Sequence, residues 1–154
     1  MSFLLTLKQG INKKLFQKPI RDKRAFLYKD VNISIISSNC AGGILYYDYG
    51  LEFKSPTINL FLENEDFIWL CEHIDILDRL SLREDKENED RYPIGILGKS
   101  KIHFLHYKSF YEANLKWEKR KQRIDYKNIC ILFVEREKLT ALQWNRFNNL
   151  PYKK

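Results

Sequence analysis

The chain has 154 residues, with 27 basic and 20 acidic side chains and 44% apolar residues. That length fits one domain with a sizeable core, and an aromatic content of 14% excludes a disordered polar chain. Three cysteines without close spacing, Cys40, Cys71 and Cys130, exclude a disulfide framework and a C-x-x-C zinc site and suit a reducing cytoplasm.

No apolar run approaches the ~20 residues of a membrane-spanning helix. Met1–Gly10 lacks the order of a secretory signal, because its apolar residues precede the basic ones. The positive charge is unevenly placed. Met1–Asp30 holds eight basic and two acidic residues, a net charge of +6, whereas Val31–Lys154 holds 19 basic and 18 acidic residues. The expected organisation is a basic helical arm over residues 1–30 and an α/β domain over residues 31–154. In the arm, Phe3, Leu4, Leu7, Ile11, Leu15 and Phe16 recur at helical spacing among lysines. Two readings follow: a solvated helix packed on the domain, or an amphipathic helix on the inner face of an anionic membrane. Nucleic acid is disfavoured, since the rest of the chain is nearly charge-balanced and carries no recognition motif.

Asp30–Ser38 reads as a strand, rich in β-branched residues. Asn39–Gly43 reads as a tight turn, and Ile44–Tyr49 as a short helix ending at Gly50. Pro56–Leu62 is a second expected strand. Asn64, with Glu65 and Asp66 behind it, opens a helix whose apolar stripe runs to about Leu82. Arg83–Arg91 is a solvated charged loop. Pro93–Leu97 and Lys101–His106 form two strands of a hairpin around Gly98. Ser109–Glu112 is a capping-box pattern that starts a helix to about Gln122. Asn128–Val134 is a further β-rich run. Thr140–Gln143 is a second capping-box pattern, and its helix stops before Pro151. This order points to an α/β fold with a mixed, mostly parallel sheet and helices on both faces. Such a fold expects a strand after the last helix, so the chain reads as truncated.

The most suggestive segment for chemistry is Ser37–Gly43. It follows the first strand and opens a helix, where open α/β sheets bind ligands. Gly42 and Gly43 permit close backbone approach, and a helix N-terminus attracts phosphate or carboxylate. Ser38 and Asn39 supply polar groups, and the helix dipole would lower the pKa of Cys40. The competing reading is a structural turn with Cys40 as apolar filler. His103 and His106 form an H-x-x-H pattern, but on a strand they face opposite sides, which argues against a shared metal. His106 ends the strand and is the acid–base candidate, while His103 is structural or exposed. Lys116–Arg123 is a basic helix end. Arg120 and Arg123 share a face and either satisfy the helix dipole or fork onto a phosphate. Trp117 stacks on a sugar or fills the core.

Several stretches resemble one bacterial family: Ser37–Gly43 (SSNCAGG), Ser55–Phe61 (SPTINLF), Tyr92–Gly95 (YPIG), Lys101–Ser109 (KIHFLHYKS), Glu112–Ala113 and Lys116–Asn128 (KWEKRKQRIDYKN). The family is domain of unknown function nineteen-nineteen, whose members are often labelled exopolysaccharide biosynthesis protein. This chain departs from its usual pattern at Ala41, where a bulky residue is more common, and at Asp125-Tyr126, where Asn-Trp is. The resemblance implies an α/β fold and a setting in capsule, exopolysaccharide or lipopolysaccharide biosynthesis, and members that continue past Lys154.

The expected activity is a glycosyl or acyl transferase. Asn39, Cys40, Gly42 and Gly43 would hold the phosphate or oxyanion of a nucleotide-sugar or acyl donor. His106 would act as general base, and Arg120 and Arg123 would neutralise diphosphate. The sequence contains no D-x-D motif, so a metal-independent route without cofactor is expected. The alternative is a non-catalytic carbohydrate-binding or assembly subunit using the same cleft.

Overall fold

A computed structural model describes residues 17–154. The amphipathic stretch Phe3–Phe16 lies outside the described residues. The chain divides into two compact units. The smaller holds the described residues up to Val31 together with Ile44–Glu52, and the larger holds Asn32–Gly43 with Phe53–Lys154.

The smaller unit contains helix α1 (Lys18–Leu27), which has a proline in its first turn, where no backbone N–H is lost. Most of α2 (Ala41–Tyr49) also belongs to it. Gly50 ends α2 at φ +65, and a Cβ there would lie 2.3 Å from Ala25 Cβ, so only glycine fits. Arg21 donates to the Tyr47 hydroxyl at 3.0 Å, and the Arg24 guanidinium lies 5.1 Å from the Tyr49 ring centroid.

The larger unit carries two short sheets. Strand β1 (Ser34–Ser37) pairs in parallel with β5 (Ile129–Leu132), Ser34 opposite Ile129. Strands β2 (Arg83–Glu84), β3 (Ile94–Leu97) and β4 (Ser100–His103) form an antiparallel sheet in that order. The mixed α/β class is therefore observed, but the expected single, mostly parallel sheet resolves into two sheets. The reason lies in Pro56–Leu62, which is not a strand. Pro56 has no N–H to donate, and Asn59 sits at φ 59, breaking an extended path. Only Phe61 bridges to a strand, at His103. The charged stretch 83–91 also departs from expectation, since Arg83 and Glu84 pair with Ile96 and Gly95.

Helix α3 (Asn64–Glu72) stops sooner than the apolar stripe implies and continues as a 3-10 helix, Ile74–Arg79. His73 explains the break. Its Nδ1 lies 2.7 Å from the Trp69 carbonyl, the acceptor that residue 73's own N–H would use in an α-helix. Helix α4 (Phe110–Lys121) starts as expected, with Ser109 Oγ accepting from Glu112 N–H at 3.2 Å. Helix α5 (Ala141–Asn148) opens with a complete Thr140–Gln143 capping box. Arg146 on α5 ties it to α3 through Glu72 and Glu65, holding both carboxyls below their ordinary range. After α5 the chain returns beside β5, where Ile131 N–H donates to the Lys153 carbonyl at 2.7 Å.

Ile36, Leu60, Phe67, Ile68, Phe104, Trp117 and Ile131 lie in one buried apolar cluster. Each large side chain so buried contributes about 1.5–3 kcal/mol.

Gly98 turns the β3–β4 hairpin at φ +60, and a Cβ there would lie 2.2 Å from Trp69 Cη2. Replacement by alanine meets both obstacles. Gly98→Ala is expected to lower unfolding free energy by roughly 1–3 kcal/mol in a denaturant titration, while Lys99→Ala beside it stays within about 0.5 kcal/mol.

Candidate functional site

The turn 38–40 joins β1 to α2 at the carboxyl end of the parallel pair. Helix α2 begins at Ala41, earlier than expected, so Gly42 and Gly43 lie in its first turn rather than before it. Two donors of that turn are engaged within the chain. Asn39 Oδ1 accepts from Ala41 N–H at 2.9 Å, and Ser37 Oγ accepts from Gly42 N–H at 3.3 Å. These bonds satisfy N–H groups that a phosphate at the helix terminus would need. Gly42 serves packing, because a Cβ there would lie 2.8 Å from Ser37 Cβ. A Cβ at Gly43 would meet Asn59 and Ile58 at ordinary contact distance. Ser38 Oγ accepts from Val134 N–H at 3.0 Å, which fixes the loop after β5.

Cys40 is half-buried, its Sγ 3.9 Å from the Leu60 carbonyl. Burial pushes its thiol up, and the nearby Arg136 charge opposes this only in part. The shift is thus upward, opposite to the lowering expected at a helix N-terminus, with desolvation of the thiolate its largest cause.

Residues 53–62 form an irregular strap whose backbone groups are satisfied from several directions. Tyr107 donates its hydroxyl to the Ile58 carbonyl at 2.9 Å. Phe61 exchanges both backbone bonds with His103 at 2.9 Å. Leu62 N–H donates to the Ser38 carbonyl at 2.9 Å. Beneath, the hydroxyls of Ser55 and Thr57 lie 2.8 Å apart, and Thr57 Oγ1 accepts from Ser37 N–H. Arg120 donates to the Tyr107 hydroxyl at 2.8 Å and lies over the Phe53 ring. Arg123 donates to the Phe53 carbonyl at 3.5 Å.

The sequence-selected residues thus separate into groups. Cys40 contacts the strap at Leu60, while Arg120, acting through Tyr107, and Arg123 contact it at Ile58 and Phe53. Both arginines engage protein groups, so they buttress the strap. Trp117 takes the core alternative: it is 1% exposed and packs edge-on against Phe104. His106 is exposed on the turn between β4 and α4, adjacent in sequence to Tyr107.

A row of side chains lies beside Cys40 that no local pattern in the sequence brings together. The Arg136 guanidinium lies 4.2 Å from the Phe61 ring centroid. The Phe61 ring is 5.6 Å from the His103 ring, and His103 Nδ1 is 3.4 Å from the Tyr92 hydroxyl. Asp66, half-buried nearby, accepts from Lys101 N–H at 2.9 Å. Burial raises its carboxyl, and the Lys101 bond and His103 act against that rise. Arg136 follows β5, and Cys40 follows β1, so the row borders the carboxyl ends of both parallel strands. Phe61 and Tyr92 lie within SPTINLF and YPIG, so their segments were visible in the sequence but their meeting was not. Arg136 had no signal beyond its place after a β-rich run. Among the described residues, no three His, Cys, Asp or Glu side chains gather as a metal site would require.

A family model described as Domain of unknown function (DUF1919) matches residues 11–154. The chain belongs to this family. The chain is also 36% identical over 121 residues to an uncharacterized protein of Haemophilus influenzae. That match covers 79% of this chain and 58% of the relative, so the chain spans less than two thirds of the relative's length. The stretches that carry the DUF1919 resemblance are the ones that meet around the strap: Cys40, Leu60, Phe61, Tyr92, His103, Tyr107, Arg120 and Arg123 all come from them.

Because burial pushes the half-buried Cys40 thiol up, it should alkylate slowly at neutral pH, with a rate that climbs only above the ordinary thiol range. Arg136→Ala removes the opposing positive charge and is expected to slow Cys40 further. Peptide-resolved mass spectrometry after iodoacetamide treatment reads both effects, separately from the buried Cys71.

Proposed function

We propose that this DUF1919 member binds a sugar-bearing substrate along the Arg136–Phe61–His103–Tyr92 row and acts as a transferase in building or decorating a bacterial surface polysaccharide. The observation that carries the reading is that row, beside Cys40 at the carboxyl ends of β1 and β5. Aromatic rings offer faces for the apolar side of a sugar. A guanidinium matches the planar, bidentate geometry of phosphate or carboxylate. An imidazole can exchange a proton near neutrality. The surface-polysaccharide setting is what the family resemblance implies, and the side-chain set is compatible with that ligand class.

The chemistry we favour is glycosyl transfer from a nucleotide-sugar. His103 accepts the proton of an acceptor hydroxyl as that oxygen attacks the anomeric carbon. The new carbon–oxygen bond forms while the bond to the diphosphate breaks, and the diphosphate leaves with the electron pair. Arg136 offsets its charge. His103 replaces His106 in this role because Tyr92 and Phe61 hold its ring, whereas His106 stands exposed on a turn. An acyl donor is the alternative within the same reaction class.

A second reading, a carbohydrate-binding or assembly subunit, draws support from the α2 terminus. Two of its N–H donors are already bonded to Asn39 and Ser37, and burial pushes the Cys40 thiol up. That leaves a surface built for contact with fewer groups for catalysis.

Thermal-shift and calorimetric titration against nucleotide-sugars, free sugars and acyl-CoA separates these readings. A nucleotide-sugar should raise the melting temperature, and Arg136→Ala should weaken its binding about ten-fold. His103→Gln should retain affinity and lose roughly 10²–10⁴-fold in turnover if the protein is an enzyme. Binding without turnover in the unaltered protein favours the subunit reading. No binding to any of the panel contradicts both.

A further inference from the structure

We propose that the smaller unit docks on an anionic lipid surface through the outward face of α1. Helix α1 has ten residues and buries none of them. A helix this short is marginal alone in water, so its stability comes from what it rests on.

Its two sides differ. At 100° per residue, Arg21 and Ala25 lie within 40° of each other on one side. That side meets the rest of the unit, Arg21 at Tyr47 and Ala25 at Gly50. Phe26, Lys23, Leu27 and Ile20 lie on the opposite side in that angular order. Phe26 is 71% exposed, Leu27 62% and Ile20 52%. Three large apolar side chains therefore flank a lysine on a helix face directed at solvent. The unit also exposes Ile44, Tyr47 and Tyr28.

Charge selects the occupant. Besides Lys23, the same segment carries Lys18, Arg24 and Lys29, with Lys29 over the Phe26 ring. Its acids are Asp22, ion-paired with Arg21, and Asp30. The first 30 residues have a net charge of +6, against +1 for all the rest. Apolar side chains interleaved with cations match the boundary between acyl chains and anionic headgroups, where burial and Coulomb attraction act together. A second copy of this chain would bring equal charges together, which disfavours it as the occupant.

Co-sedimentation of the full chain with vesicles tests this. The protein should pellet with phosphatidylcholine vesicles containing phosphatidylglycerol, not with phosphatidylcholine alone, and raised salt should release it. Phe26→Glu and Leu27→Glu should each weaken binding roughly ten-fold or more. Lys23→Glu should also weaken it. Because these side chains are exposed, thermal unfolding of all three variants should match the unaltered protein. Absence of binding to the anionic vesicles overturns the proposal. So does binding that the three variants leave unchanged, or light scattering that shows a dimer which Phe26→Glu dissolves.

Discussion

A buried backbone without a sheet must find its hydrogen bonds elsewhere, and the strap of residues 53–62 is where this chain meets that demand. Its Ile58 carbonyl is taken by Tyr107, its Phe61 backbone by His103, and its Leu62 N–H by Ser38. His103 belongs to the antiparallel sheet and Ser38 follows the parallel one. The strap therefore ties the two sheets of the larger unit together through side chains and single bridges. Each such bond is worth only about 0.5–1.5 kcal/mol net, but leaving its buried partner empty costs about 1–3 kcal/mol. Leu60 and Leu62 anchor the strap in the core, and Asn59 between its buried neighbours turns outward at positive φ.

The candidate site follows from that arrangement. Phe61 sits where the strap meets β4, so its ring lies beside His103, and Arg136 covers it from the loop after β5. Cys40 reaches the strap one residue earlier, at Leu60. Arg120 and Arg123 act from below by holding Tyr107 and Phe53, a positioning role. The helix terminus that looks from sequence like an anion site has two of its N–H groups, those of Ala41 and Gly42, taken by Asn39 and Ser37.

Local signals in the sequence were reliable where a residue acts on its neighbours. The caps at Ser109 and Thr140, the hairpin turn at Gly98 and the β-branched runs of β1 and β5 all act within a few residues. They failed where a distant partner decides. Pro56–Leu62 has strand-like composition, yet Asn59 breaks its path and its partners come from Ser38, His103 and Tyr107. The apolar stripe after Asn64 runs on past Glu72, but a histidine side chain claims the Trp69 carbonyl and interrupts the helix. The site was half-visible for the same reason. Cys40, Asn39 and the arginines stand in recognisable local patterns, whereas Arg136 acquires its role only by folding onto Phe61. His103 looked structural because its neighbours Tyr92 and Phe61 are remote in sequence.

The central claim, that Arg120 works through Tyr107 to hold the strap, is tested most directly by a double-mutant cycle with Tyr107→Phe and Arg120→Met, read as unfolding free energies. The expected result is a coupling of about 1–3 kcal/mol, because the two side chains share the bond that ends on the Ile58 carbonyl. Additivity within about 0.3–0.5 kcal/mol would contradict the claim, since it would show that arginine and tyrosine act on the fold independently.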